Sequence, residues 1–136
     1  MDFKEYLKKY NAQKKINKLV QLYKNKKIAI YGAGQFARTI FENYDLSKLN
    51  IVGIADLKFE DPQNRDFFGL NCIEPKMLGT IDCDIILIAN YDYDRFLTIL
   101  DDHILYLTKN DSVTVRPLIK LNFRDIFITK GAKNGI

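Results

Sequence analysis

The sequence predicts a single α/β domain in which a parallel sheet carries helices on both faces. The chain has 136 residues, of which 47% are hydrophobic and 28% charged, and this composition is typical of one globular domain. Short apolar runs alternate with segments of helical periodicity from residue 27 onward. The run Ile85-Ile86-Leu87-Ile88 has four branched aliphatic residues without alternation. Such a run indicates a strand that is covered on both faces, as in a doubly wound parallel sheet.

Composition also excludes several classes of protein. No apolar run approaches the roughly 18–20 residues that cross a bilayer, and the first ten residues lack the apolar centre of a signal peptide. Cys72 and Cys83 do not have metal-ligand spacing, and the single histidine, His103, offers little for histidine-based catalysis. We therefore expect a cytoplasmic protein with neither a metal site nor a transmembrane segment.

Positive charge is concentrated in the first 27 residues. This segment has nine lysines and two acids, a net charge of +7, whereas the other 109 residues have a net charge of −3. Its apolar residues recur at spacings of three and four, so we predict a basic amphipathic helix over residues 1–26, with a bend or a division at Asn11 or Asn17. No arginine precedes Arg38, which favours a helix docked on the domain or on another subunit over a nucleic-acid or lipid surface.

A strand, a glycine-rich turn and a helix follow this segment. Apolar residues 28–31 predict the first strand, and helical periodicity over residues 35–44 predicts the helix. Between them lies Gly32-Ala33-Gly34, the glycine turn, in the pattern G-x-G-x-x-A. A second apolar run at residues 51–55 ends in Asp56, which lies 22 residues after the last glycine of the turn. This order is the context in which the glycine pattern indicates nucleotide binding.

Each residue of this pattern has a physical role in such a site. Gly32 permits a tight turn, and Gly34 lets a pyrophosphate approach the backbone. The free amides at the start of the helix face the phosphate, and Asp56 accepts hydrogen bonds from ribose hydroxyls. The alternative is that the glycines serve only helix packing and that the acid begins a turn. Nucleotide binding is favoured because the complete context is present.

The remaining segments complete the sheet. Polar residues 57–66 predict a loop over the ligand crevice, where Lys58 and Arg65 could contact a phosphate. Asn90 and Tyr91 follow the strand at residues 85–89, where Asn90 either binds a ligand or caps the next helix. The other predicted elements are a turn and short strand at 68–73, a short helix from Pro75, a helix at about 92–107 and a strand at 113–115.

Four segments together resemble a known family. They are Ile30-Tyr31-Gly32-Ala33-Gly34, Ile51-Val52-Gly53-Ile54-Ala55-Asp56, Gly69-Leu70-Asn71-Cys72-Ile73-Glu74-Pro75 and Asp84-Ile85-Ile86-Leu87-Ile88-Ala89. Over residues 27–108 the chain resembles the small Rossmann-like domains of bacterial surface-polysaccharide proteins, such as the N-terminal domain of sugar acyltransferases and the domain that precedes polysaccharide-type epimerase/dehydratases. The resemblance implies a nucleotide or nucleotide-sugar site at Gly32, Gly34 and Asp56. Residues 1–136 contain no acyltransferase repeat or second catalytic domain, so we do not expect the chemistry of the larger relatives from this segment.

The sequence therefore predicts a three-layer Rossmann-like doubly wound parallel sheet with an added basic N-terminal helix. We expect a Lys-rich extension at 1–26, a nucleotide-binding domain at 27–128 and a flexible tail at 129–136. The predicted site consists of Gly32, Ala33, Gly34, Gln35, Phe36, Asp56, Lys58, Asn90 and Tyr91.

Three functions are compatible with this site. The first is a module that binds a nucleotide or nucleotide sugar in surface-polysaccharide metabolism, without a catalytic constellation of its own, and whose partner is a second copy or a polysaccharide-biosynthesis protein. The second is an NAD(H)-binding oxidoreductase or redox-sensing subunit that completes its site by dimerising. The third is a non-enzymatic interaction domain that docks through its Lys-rich helix.

Overall fold

The apolar runs of the sequence form a five-stranded parallel sheet in the computed structural model, which describes residues 2–92 and 113–119. The strands are β1 (Ile28–Tyr31), β2 (Ile51–Ala55), β3 (Cys72–Ile73), β4 (Ile85–Ile88) and β5 (Thr114–Pro117). Their order across the sheet is β3-β2-β1-β4-β5, and every neighbouring pair is parallel. The predicted α/β class is confirmed. The strand order reverses between β1 and β4, which is where ligands bind in open parallel sheets.

Two helices, instead of one, precede the sheet. Helix α1 (Phe3–Lys9) begins at Asp2, whose carboxylate accepts hydrogen bonds from two backbone amides of its first turn, and helix α2 (Ala12–Leu22) follows. They are divided at Asn11, which has the left-handed conformation that asparagine tolerates better than most residues. The division predicted at Asn11 is confirmed, whereas Asn17 lies within α2.

Helix α3 (Gln35–Asn43) connects β1 to β2 and packs with α1 on one face of the sheet. Leu7 and Ile16 of the N-terminal helices are fully buried, in one apolar cluster with Ile85 and Leu87 of β4. Helices α1 and α2 therefore pack their apolar sides into the core of the sheet. This packing is what an amphipathic helix docked on its own domain requires. The division into extension, domain and tail stays a prediction.

The opposite face of the sheet has a second apolar cluster. Strand residues such as Ala29 and Ile86 contribute to it, together with Leu78 from the 3₁₀ helix Pro75–Thr80. The helix predicted at about 92–107 lies outside the described residues, so the three-layer arrangement stays a prediction. No helix in the described parts of the chain is long and apolar enough to cross a membrane.

The segment after β2 has more regular structure than the predicted loop. It contains two 3₁₀ helices, Leu57–Glu60 and Pro62–Asn64, each of which begins after an aspartate whose carboxylate accepts a hydrogen bond from a backbone amide. Side-chain capping of this kind satisfies amides that the short helices leave unpaired.

Candidate functional site

The glycine turn lies at the carboxyl end of β1, between β2 and β4. Gly32 is buried, has a φ of +109° and donates its amide to the carbonyl of Ala55, 2.8 Å away. A Cβ atom at Gly32 would lie 3.0 Å from the backbone carbonyl oxygen of Ala89. Glycine is therefore required here both by conformation and by the close approach of the chain after β4.

Gly34 has different surroundings. It is exposed and has a φ of −87°, and a Cβ atom there would meet no other described atom within 4 Å. It is also the N-cap of α3, and no side chain in residues 2–92 or 113–119 caps this end of the helix. The first-turn amides of α3 have no intrahelical partner by helix geometry. The start of α3 thus has amides without an intrahelical partner next to the exposed and open position of Gly34.

Asp56 is held against the glycine turn. One carboxylate oxygen accepts the Ala33 amide at 2.7 Å, and the other accepts the Lys58 amide at 3.0 Å. The Lys58 ammonium donates to the Ala33 carbonyl, so the turn is bound from both sides. The acid that the sequence analysis assigned to ribose therefore fixes the turn itself. A carboxylate has about four acceptor positions, so a ligand hydroxyl can still bind, and that role stays a prediction.

The predicted site residues Phe36 and Tyr91 lie in a cluster of aromatic rings. Their ring centroids are 5.8 Å apart, and Phe3 of α1 lies 5.1 Å from Phe36 and 5.4 Å from Tyr91. Tyr6, also of α1, lies 5.3 Å from Tyr91. The contribution of α1 to this edge of the sheet was not predicted from the sequence. The regular recurrence of aromatic residues in the first ten positions was the available signal.

The other predicted residues lie at the margins of this site. Gln35 is exposed and lines a groove of about 390 Å³ between α1 and α3. Asn90 accepts the amide of Asp92 at 3.0 Å. The helix that Asn90 would cap lies outside the described residues, so both roles of Asn90 stay predictions. Arg65 is paired with Glu74 and donates to the carbonyl of Phe59, and its contact with a phosphate stays a prediction.

Two tyrosine hydroxyls near this edge are strongly held in the protonated form. Burial, followed by the charges of Asp56 and Glu60, raises the pKa of Tyr31 to about 12. Burial, followed by a hydrogen bond with Tyr91, raises the pKa of Tyr6 to about 12. Neither hydroxyl is a general base near neutral pH, because such a base needs a pKa close to the working pH.

A second group of contacting aromatic residues was not predicted from the sequence. Phe41, Phe67 and Phe68 have ring centroids 4.9–5.5 Å apart. The Arg38 guanidinium lies 5.4 Å from the Phe67 ring and 5.5 Å from the Phe68 ring. This group lies beside α3, on the β2 side of the glycine turn, whereas Tyr91 lies on the β4 side.

The lysines of α2 form a separate surface. Lys14 and Lys18, with Leu22, line a shallow groove of about 530 Å³ on the outer side of the helix. Within the described ranges, no lysine of α1 or α2 forms an ion pair. An apolar stripe in the core and a solvated lysine face are the two sides of an amphipathic helix.

Comparisons with known proteins gave one match. Residues 24–104, more than half of the chain, match the family described as C2185-like, N-terminal. The matched segment contains the glycine turn, α3 and strands β1 to β4. Searches of curated proteins and of solved structures each returned no match. The chain therefore belongs to the C2185-like, N-terminal family.

Proposed function

We propose that this protein binds a nucleotide or a nucleotide sugar at the glycine turn and has no catalytic activity of its own. The observation that carries the proposal is the open, exposed Gly34 at the start of α3, next to the point where the strand order reverses. Free amides and the positive end of the helix dipole favour a phosphate at such a position.

Rigidity of the turn supports the same ligand. The Ala33 amide and carbonyl are both engaged, by Asp56 and by Lys58 respectively, so the path of the turn is set before a ligand arrives. A site that is already ordered spends less binding free energy on ordering. The Lys58 ammonium also places a positive charge beside the turn, which favours a phosphate electrostatically.

The biological setting rests on the resemblance to surface-polysaccharide domains. We propose an accessory role in that metabolism, with a nucleotide sugar as the favoured ligand and NAD as the second candidate. We also propose a cytoplasmic setting, supported by the free thiols of Cys72 and Cys83. A second copy of the chain or a polysaccharide-biosynthesis protein is the proposed partner.

Thermal unfolding with added ligands tests the proposal. We would measure the Tm of the full chain with UDP-sugars, NAD, coenzyme A and AMP. A ligand at 100 times its Kd should stabilise the folded state by about 2.7 kcal/mol. Replacing Gly34 by valine places branched methyl groups in the phosphate position, so the ligand-induced rise should disappear. The smaller Gly34→Ala change should reduce the rise by less.

The Tm of each variant without ligand is the control for folding. Because the Cβ position of Gly34 is open, both variants should unfold near the wild-type temperature. The proposal fails if no nucleotide raises the Tm, or if the Gly34→Val protein is folded and still responds like the wild type.

A further inference from the structure

Phe68 has a backbone conformation that bulky residues rarely adopt. Its φ is +52°, the φ of Gly69 is +73°, and the Leu70 amide donates to the Phe67 carbonyl at 2.9 Å. Positive φ at both central positions is the feature of a type I′ turn, in which Asn-Gly is the preferred pair. A phenylalanine at the first central position is therefore disfavoured by the local backbone.

Phe68 is also incompletely buried. The residue remains 43% exposed although its ring contacts Phe41, Phe67 and the guanidinium of Arg38. Phe67, the preceding residue, is 1% exposed and already fills the core position of this segment. Packing alone gives little reason for a second phenylalanine, since asparagine would suit the backbone better.

The group formed by Phe41, Phe67 and Phe68 lies near the glycine turn. The Arg38 amide donates to the Gly34 carbonyl at 3.0 Å, so Arg38 lies one helical turn, about 6 Å of rise, after Gly34. The Lys58 ammonium contacts the Ala33 carbonyl and lies 5.7 Å from the Phe67 ring. Lys58 thus lies between the glycine turn and the buried ring of Phe67, which contacts the ring of Phe68.

We propose that Phe68 and Arg38 form a stacking surface for the base of a nucleoside diphosphate whose phosphates lie at Gly34. This inference rests on the proposed function and assigns the base-binding part of that site. An exposed phenyl ring and a guanidinium plane both stack on aromatic bases, and the guanidinium adds a cation–π contribution. A sugar phosphate without a base would use only the glycine turn.

Replacing Phe68 by asparagine separates binding from packing. Asparagine removes the ring but suits the positive φ, so the variant should unfold at the wild-type temperature or above it. Phe68→Tyr keeps the ring. Met77→Asn is the matched control, because Met77 is also 43% exposed and lies in a different part of the chain.

Isothermal titration of the full chain with ADP, UDP and pyrophosphate provides the measurement. The Phe68→Asn protein should bind ADP and UDP about tenfold more weakly, in the range that loss of one base–ring stack gives. Its affinity for pyrophosphate should be unchanged. Phe68→Tyr and Met77→Asn should bind all three ligands within about twofold of the wild type.

Two results would overturn this inference and leave the proposed function standing. Wild-type ADP affinity in Phe68→Asn, combined with loss of ADP binding in Gly34→Val, would leave the glycine turn as the site without a base at Phe68. An equal loss of ADP and pyrophosphate affinity in Phe68→Asn would assign a purely structural role to the ring. If the wild type binds none of the three ligands, the inference and the proposed function both fall.

Discussion

Gly32→Ala tests whether the glycine turn depends on backbone conformation and close packing. The substitution places a Cβ atom at a residue with a φ of +109°, a region that side-chain-bearing residues rarely adopt. The same atom would lie 3.0 Å from the Ala89 carbonyl oxygen. That oxygen belongs to the backbone directly after β4, so it cannot move aside as a flexible side chain would.

The expected loss follows from three contributions. Holding a residue in a sparsely populated backbone region costs about 1–3 kcal/mol. The short contact with the Ala89 backbone adds to this loss, whereas the smaller unfolded-state entropy of alanine offsets about 0.4–1 kcal/mol. We therefore expect the free energy of unfolding to fall by about 1–3 kcal/mol. For a domain of this size, the Tm should fall by roughly 3–12 °C.

Two further glycines provide matched controls. Gly69 has a φ of +73° but open space at its Cβ position, and Gly34 has both a negative φ and open space. Gly69→Ala should cost about 1 kcal/mol, and Gly34→Ala should stay within about 1 kcal/mol of the wild type. Urea unfolding followed by circular dichroism measures all three. A Gly32→Ala protein as stable as the Gly34→Ala protein would refute the reasoning.

Three other perturbations test the core, the turn and the buried tyrosine. Leu7→Ala should lower the free energy of unfolding by about 2–5 kcal/mol. Leu22→Ala, at a residue 68% exposed, should change it by less than about 0.5 kcal/mol. Equal effects of the two substitutions in urea unfolding would contradict the packing of α1. Asp56→Ala leaves two backbone amides without their acceptor and should lower the free energy of unfolding by about 1–3 kcal/mol. A urea midpoint equal to that of the wild type would show that the carboxylate does not hold the turn. The pKa of Tyr31 is about 12 in the folded protein and about 10 when unfolded, so its contribution to stability is present below pH 10 and is lost as the pH rises toward 12. In urea unfolding, the free energy of unfolding of Tyr31→Phe should therefore decline less over that pH range than that of the wild type. An equal decline in the two proteins would contradict this linkage.

The strands and α3 could be predicted because each of them has a strong local signal. Residues 28–31 and 85–88 are apolar runs that each follow a charged residue, and the glycine turn comes after the first of them. The helix predicted at 35–44 is found at Gln35–Asn43, and the strand predicted at 113–115 is found at Thr114–Pro117. These signals depend on neighbours in sequence, so one sequence is enough to identify them.

Contacts between distant segments could not be predicted in the same way. The pairing of Asp56 with the Ala33 amide joins residues 23 positions apart, and a carboxylate at the end of a strand is equally suited to a ribose hydroxyl. The packing of Phe3 against Phe36 depends on where α1 lies relative to α3. Periodicity indicates that a helix has a buried face, but not which part of the sheet covers it.

The two sides of the glycine turn differ, and for the proposed nucleotide ligand this difference predicts a preference between a mononucleotide and a dinucleotide. On the β4 side, Tyr91 is covered by α1, which is anchored in the core by the fully buried Leu7. On the β2 side, Lys58 lies beside the turn and Phe68 remains exposed. A dinucleotide that spans the strand reversal would have to displace α1, whereas a mononucleotide on the β2 side would not. We therefore expect ADP to bind at least tenfold more tightly than NAD in isothermal titration, and NAD affinity equal to or above that of ADP would contradict this expectation.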